Sequence, residues 1–146
     1  MAQERLAEAN WEGSLAEGSG QVTLSSSGAV GWLPVSWASR TENPDGQTSP
    51  EELIAAAHAS CLAMVLSNVL AKADHPPKEL VVAAACTIDK EDDALRITTM
   101  NLEVTGTVPG MDAVSFEKAV EEAAADCPVS NALKNNVEIN VKSALS

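Results

Sequence analysis

The longest patterned stretch covers residues 53–72, rich in Ala and Leu and free of Gly and Pro. Its apolar positions run around most of the circumference rather than along one stripe. That predicts a buried central helix of roughly 20 residues, about 30 Å long at 1.5 Å per residue. Ser49-Pro50-Glu51-Glu52 carries the start signals: a capping hydroxyl, a proline suited to the first helical position, and carboxylates at the positive end of the helix dipole. His75-Pro76-Pro77 stops the helix. Ahead of it, residues 11–15, 20–25 and 32–37 are short β-like runs separated by Gly and Ser. Residues 40–49 form a polar loop, with Asn43-Pro44-Asp45-Gly46 as a turn.

Beyond the helix, residues 80–89 and 95–107 predict a hairpin turning at 90–94. The second run alternates through Leu95, Ile97 and Thr99, then through Asn101/Leu102 and Val104. After Val108-Pro109-Gly110, Asp112 or Ser115 opens a second helix over 114–125, with Phe116, Ala119, Val120 and Ala123 on one face. A short helix over 129–133 and a last strand over 137–141 complete the order. Strands, long helix, two strands, helix, strand predicts an α+β fold with helices packed on an antiparallel sheet.

The 146 residues suit a single domain, 1–146, able to bury its own core. Aromatics make up only 3% against 45% apolar residues, so the core must be built from Ala, Val, Leu and Ile. A net charge of −12 with no basic stripe argues against nucleic acid as a partner. The reading also expects no stretch approaching the ~18 to 20 apolar residues that cross a bilayer, no signal peptide, and a soluble cytoplasmic protein. Three cysteines, an odd number in no secreted framework, are then packing residues, metal ligands or reactive thiols.

Each candidate carries two readings. Cys61, in the middle of the long helix, is either a small core residue or a thiol held on a rigid element. Cys127 precedes Pro128, which pushes its backbone out of helical geometry at the head of the short helix. It is therefore either a plain boundary residue or a thiol made more acidic by the N–H groups ahead of it. Arg40 is one of nine Lys and Arg; it is surface solvation or the cation that stabilises a thiolate, steered by Glu51 through a planar ion pair. His58 shares a helix face with Cys61 and, with His75 and Cys127, raises a zinc alternative whose spacing matches no metal signature. Cys86 reads as core. No H-E-x-x-H, G-x-S-x-G or glycine-rich phosphate loop occurs, and Cys61 with His58 has no orienting Asp or Asn for acyl transfer.

Thr48-Ser49-Pro50-Glu51-Glu52-Leu53-Ile54-Ala55-Ala56-Ala57-His58-Ala59-Ser60-Cys61, with Asp126-Cys127-Pro128-Val129-Ser130, resembles the OsmC/Ohr family of hydroperoxide reductases. Ala56-Ala57-His58-Ala59-Ser60-Cys61 and Trp11-Glu12-Gly13 resemble its OsmC, or osmotically inducible, branch, and the likeness covers nearly the whole chain. The resemblance implies an antiparallel sheet wrapped around two long central helices in an intertwined homodimer, with two sites at the subunit interface. It implies Cys61 as peroxidatic and Cys127 as resolving cysteine, with Arg40 and Glu51 as the activating pair and with no metal, haem or flavin. Oxidative or osmotic stress defence is the implied role, and a non-catalytic binding or stress protein on the same fold is the alternative. A dithiol or lipoyl-type reductant would reopen the disulfide.

Ser39 and Thr41 flank Arg40 where the family often has an aromatic, and Leu62 stands where Phe is frequent, so the substrate walls differ. Glu51 precedes Cys61 by ten helical residues, about 15 Å of rise. Groups from a second subunit, or a later helix start, would have to bring the pair to the thiol.

Overall fold

The computed structural model describes all 146 residues, which divide into two compact units, 1–53 and 54–146. The first unit holds a three-stranded antiparallel sheet of β1 (Glu8–Glu12), β2 (Ser19–Thr23) and β3 (Leu33–Val35) in that order. Trp11 closes over the turn, its indole Nε1 donating to the Gly13 carbonyl at 3.1 Å. A Cβ on Gly20 would meet the Trp11 ring at 2.9 Å, so this strand position accepts only glycine.

Residues 32–37, expected as a strand, split in two. After β3 the chain turns into a short helix, α1 (Trp37–Thr41), which carries Arg40. The cause is a capping box: Ser36 Oγ accepts from the Ser39 N–H, and Ser39 Oγ accepts from the Ser36 N–H, both at 3.0 Å. The Ser39 hydroxyl donates to the Thr48 carbonyl at 3.0 Å, and Thr48 N–H donates to the Pro34 carbonyl at 3.0 Å, which ties the polar loop back to β3.

The long helix α2 (Pro50–Lys72) starts as its sequence signals require, with Ser49 Oγ accepting from the Glu52 N–H at 3.1 Å. Contrary to the expectation that no segment could span a bilayer, α2 is long and apolar enough by length and composition, with a mean hydropathy of 1.8 over its best 18-residue window. The core helix of a globular protein meets the same criterion. One stripe, His58, Leu62, Leu66 and Leu70, is completely buried. The opposite side, including Ala56, Ala57, Ser60 and Met64, is exposed, Met64 by 68%.

The second unit is built on a hairpin of β4 (Glu79–Glu91) and β5 (Ala94–Thr107). Its two-residue turn puts Asp92 and Asp93 at φ 48° and 62°, the left-handed geometry that matches strand twist. Leu80, Val82, Ala84 and Cys86 on one strand pair with Gly106, Val104, Leu102 and Met100 on the other, and this face carries the core. The register shifts at Thr87/Ile88, where Thr98 is the extra residue of β5.

The last strand, β6 (Glu138–Leu145), departs from the antiparallel expectation and pairs parallel with β5, Ile139 beside Met100 and Val141 beside Leu102. A parallel neighbour requires a long crossover, and α3 (Ala113–Asp126) with α4 (Pro128–Leu133) forms it. Asp112 caps α3 through the Ser115 N–H at 2.9 Å. Phe116, Ala119, Val120 and Ala123 are the buried face of α3, as its periodicity predicts. The Phe116 ring lies on Gly106, where a Cβ would come within 2.5 Å of it.

Candidate functional site

In the C-terminal unit, Cys61 projects from the fourth turn of α2, and Cys127 sits in extended backbone (φ −66°, ψ 119°) between α3 and α4. Pro128 enforces that conformation, and the first turn of α4 directs its N–H groups at the two sulfurs. The sulfurs, 66 residues apart in the chain, are 3.3 Å apart in space. Cys127 is wholly buried, whereas Cys61 is partly open.

Their environments separate the two thiols. Burial works against ionisation of Cys127, but the Ser130 N–H, the Ser130 hydroxyl, Cys61 and the Val129 N–H outweigh it and bring its pKa down. Burial also dominates at Cys61, where the Val129 N–H is the one stabilising influence and the neighbouring Cys127 opposes ionisation, so its pKa is raised. The two thiols are coupled, so ionisation of one opposes ionisation of the other.

Behind Cys127, His58 Nε2 lies 2.7 Å from Ser130 Oγ. The ring is fully buried, its Nδ1 has no hydrogen-bond partner, and burial lowers its pKa. His75, the other histidine of the zinc alternative, is instead held by the Pro109 carbonyl at 3.1 Å from Nδ1. Cys86 lies in the hairpin core, on the face expected for it.

In the N-terminal unit, Arg40 and Glu51 form an ion pair, the contact expected under one of the two readings of Arg40. Arg40 Nε and NH2 contact Glu51 Oε1 at 3.0 and 2.8 Å, and Nε lies 3.3 Å from Oε2. Glu51 is buried while the Arg40 side chain remains 31% exposed. The guanidinium also sits over Trp37, 5.9 Å from the ring centroid. Trp37 was missed as a site residue because it was placed on a strand. As the residue three before Arg40 on a capped helix, it supplies an aromatic surface for the cation that neither Ser39 nor Thr41 provides. Ser130 stands in the sequence only as the last residue of the Asp126–Ser130 motif, and nothing in its spacing points to His58, 72 residues earlier.

The family model described as "OsmC-like protein" matches residues 43–142. The chain is 37% identical to Peroxiredoxin OsmC of Escherichia coli over 140 residues, 96% of each chain. It is 30% identical to an organic hydroperoxide resistance protein of Xanthomonas axonopodis over 95 residues, 64% of this chain and 65% of that one. Among solved structures, the organic hydroperoxide resistance protein OhrB of Bacillus subtilis superposes with a TM-score of 0.75 at 21% identity, covering 95% of this chain and 98% of that one. An OsmC-like protein of Vibrio cholerae superposes with a TM-score of 0.77 at 18% identity, covering 98% and 100%. The structural matches establish the shared fold, and the family match together with the full-length sequence identity establishes the lineage: the chain belongs to the OsmC family.

Proposed function

We propose that the protein is a thiol peroxidase that reduces organic hydroperoxides, with Cys61 as peroxidatic and Cys127 as resolving cysteine. The observation that carries this reading is the 3.3 Å separation of two sulfurs 66 residues apart, close enough to bond after a small movement. Relatives named as a peroxiredoxin and as an organic hydroperoxide resistance protein support the same chemistry. Cys61 is the peroxidatic member because it is the more accessible sulfur, while Cys127 is sealed from solvent. Its raised pKa requires a cation beside it, and Arg40, preset by Glu51 and Trp37, is the group suited to that role.

The Cys61 thiolate attacks the terminal peroxide oxygen. The O–O bond breaks, an alkoxide leaves and takes a proton to become the alcohol, and Cys61 becomes a sulfenic acid. Cys127 sulfur then displaces the sulfenic oxygen, which leaves as water, and the disulfide forms. A small dithiol or lipoyl-type reductant reopens it by exchange. Arg40 and Glu51 come from a second subunit of a homodimer, whose α2 covers the exposed apolar side around Met64. An apolar wall there favours alkyl hydroperoxides over hydrogen peroxide. The compartment is the cytoplasm, where reducing conditions reset the thiols.

One equivalent of cumene hydroperoxide added to reduced protein, followed by disulfide mapping, tests the reading. A Cys61–Cys127 bond, absent from Cys61→Ser, is expected. Peroxide consumption at the uncatalysed rate by wild type and Cys61→Ser alike would end it and leave a binding protein on the same fold.

A further inference from the structure

We propose that His58 is a positioning residue for the resolving step, accepting the Cys127 proton through the Ser130 hydroxyl and releasing it to the departing sulfenic oxygen. The inference rests on the peroxidase reading and adds a proton carrier to it. His58 occupies a stripe of α2 otherwise made of Leu62, Leu66 and Leu70, all fully buried. An imidazole in that position, with Nδ1 unpartnered, carries a desolvation cost that a further leucine would not.

Only one of its nitrogens is engaged: Nε2 lies 2.7 Å from Ser130 Oγ, and Nδ1 faces no partner. Ser130, itself buried and three residues after Cys127, favours the Cys127 thiolate through both its N–H and its hydroxyl. The chain imidazole–hydroxyl–sulfur therefore has one working route for a proton. The titratable groups it connects are Cys127, before α4, and Cys61, on the same face of α2 as His58. Burial is the sole influence on the ring's own titration and lowers its pKa, so His58 is neutral at rest and holds an extra proton only in passing.

In the reduced pair the Cys127 S–H donates to the Cys61 sulfur; once Cys61 is a sulfenic acid, that S–H turns to Ser130 Oγ, Ser130 O–H donates to Nε2, and the ring proton sits on Nδ1. As Cys127 ionises, its proton moves to Ser130 and the Ser130 proton moves to Nε2, leaving a thiolate and an imidazolium. The thiolate pair forms the S–S bond, the Cys61 S–O bond breaks with its pair on oxygen, and the imidazolium proton returns through Ser130 to make water. The ring ends neutral, ready for the next cycle.

The test compares wild type with His58→Gln, which keeps a hydrogen-bonding side chain but takes up no proton, and with Ser130→Ala, a small change that cuts the relay. Two rates are read on the full chain after one equivalent of cumene hydroperoxide: dimedone-trapped sulfenic acid at Cys61, and Cys61–Cys127 disulfide formation. The ratio of the second to the first is expected to fall about tenfold or more in both variants near pH 6, and to recover near pH 9 as Cys127 ionises unaided. A ratio that stays at the wild-type value at both pH values would overturn the inference while leaving the peroxidase reading intact. A deficit equal at both pH values would overturn it too, since that is the mark of lost packing. If wild type forms no sulfenic acid at Cys61, the peroxidase reading fails first and takes the inference with it.

Discussion

Oxidation should make the protein markedly harder to unfold. The two sulfurs are 66 residues apart in sequence and already in contact in the reduced fold, so a bond between them closes a long loop at little geometric expense. In the chain-entropy description, a loop of that length removes about 4 kcal/mol of freedom from the unfolded state. Drawing the sulfurs from 3.3 Å to the bonded distance of about 2.0 Å shifts the segment before α4 and takes back part of that gain. For a chain of this size, the remainder corresponds to a rise in Tm of about 5–15 °C. The assay is circular-dichroism melting of fully reduced protein against protein oxidised with one equivalent of peroxide. Cys127→Ser, which has no resolving thiol, serves as the control and should show no rise. An oxidised wild type that melts at or below the reduced form would refute the reasoning, because it would mean that the bond strains the fold more than it constrains the unfolded chain.

The core and the caps yield further expectations. Phe116→Ala removes the ring that covers Gly106 and should cost about 3–5 kcal/mol in urea unfolding; a loss below about 1 kcal/mol would remove Phe116 from the centre of the core. Gly106→Ala should cost about 1–3 kcal/mol by overpacking, and Phe116→Leu in the same chain should recover part of it. Arg40→Lys keeps the charge but loses the two-pronged contact with Glu51 and the stacking on Trp37. Peroxide turnover should fall on the order of tenfold or more, and retention of most of the rate would detach Arg40 from the chemistry. The Ser115 N–H, followed by its hydroxyl, holds the Asp112 carboxyl below its ordinary value. Its folded pKa therefore lies below its unfolded one, and the cap stabilises at neutral pH and fades as acid protonates it. Asp112→Ala should accordingly melt below wild type at neutral pH, and the two curves should converge in acid; a gap that persists unchanged would mean the cap works without its charge.

Legibility followed the length of the signal. The start of α2, the buried face of α3 and the hairpin were readable because caps and periodicity repeat over many residues. Even the slip in phase at Asn101/Leu102 was a trace of the extra residue at Thr98. α1 was not readable as a helix, because five residues contain barely more than one turn and Trp32 and Trp37 bias the window towards strand. Its signal was the Ser36/Ser39 box, visible only to someone looking for a cap. The direction of β6 was hidden for a different reason: alternation is the same whether a strand runs parallel or antiparallel, and only the crossover decides. The cysteines and the Arg40–Glu51 pair could be nominated from motifs, but the meeting of Cys61 with Cys127, and of His58 with Ser130, belongs to tertiary structure.

The extra residue in β5 also makes the hairpin asymmetric towards insertions and deletions. Ile97 and Met100 both contribute to the core although three positions separate them, because Thr98 is left out of the pairing. Losing Thr98 would restore regular alternation and keep both side chains inward, at the expense only of the local bend. Losing Thr87 from the opposite strand would instead turn Ile88 away from the face it now shares with Cys86. Length variation among descendants of this sequence should therefore accumulate on one strand of the hairpin and be absent from the other.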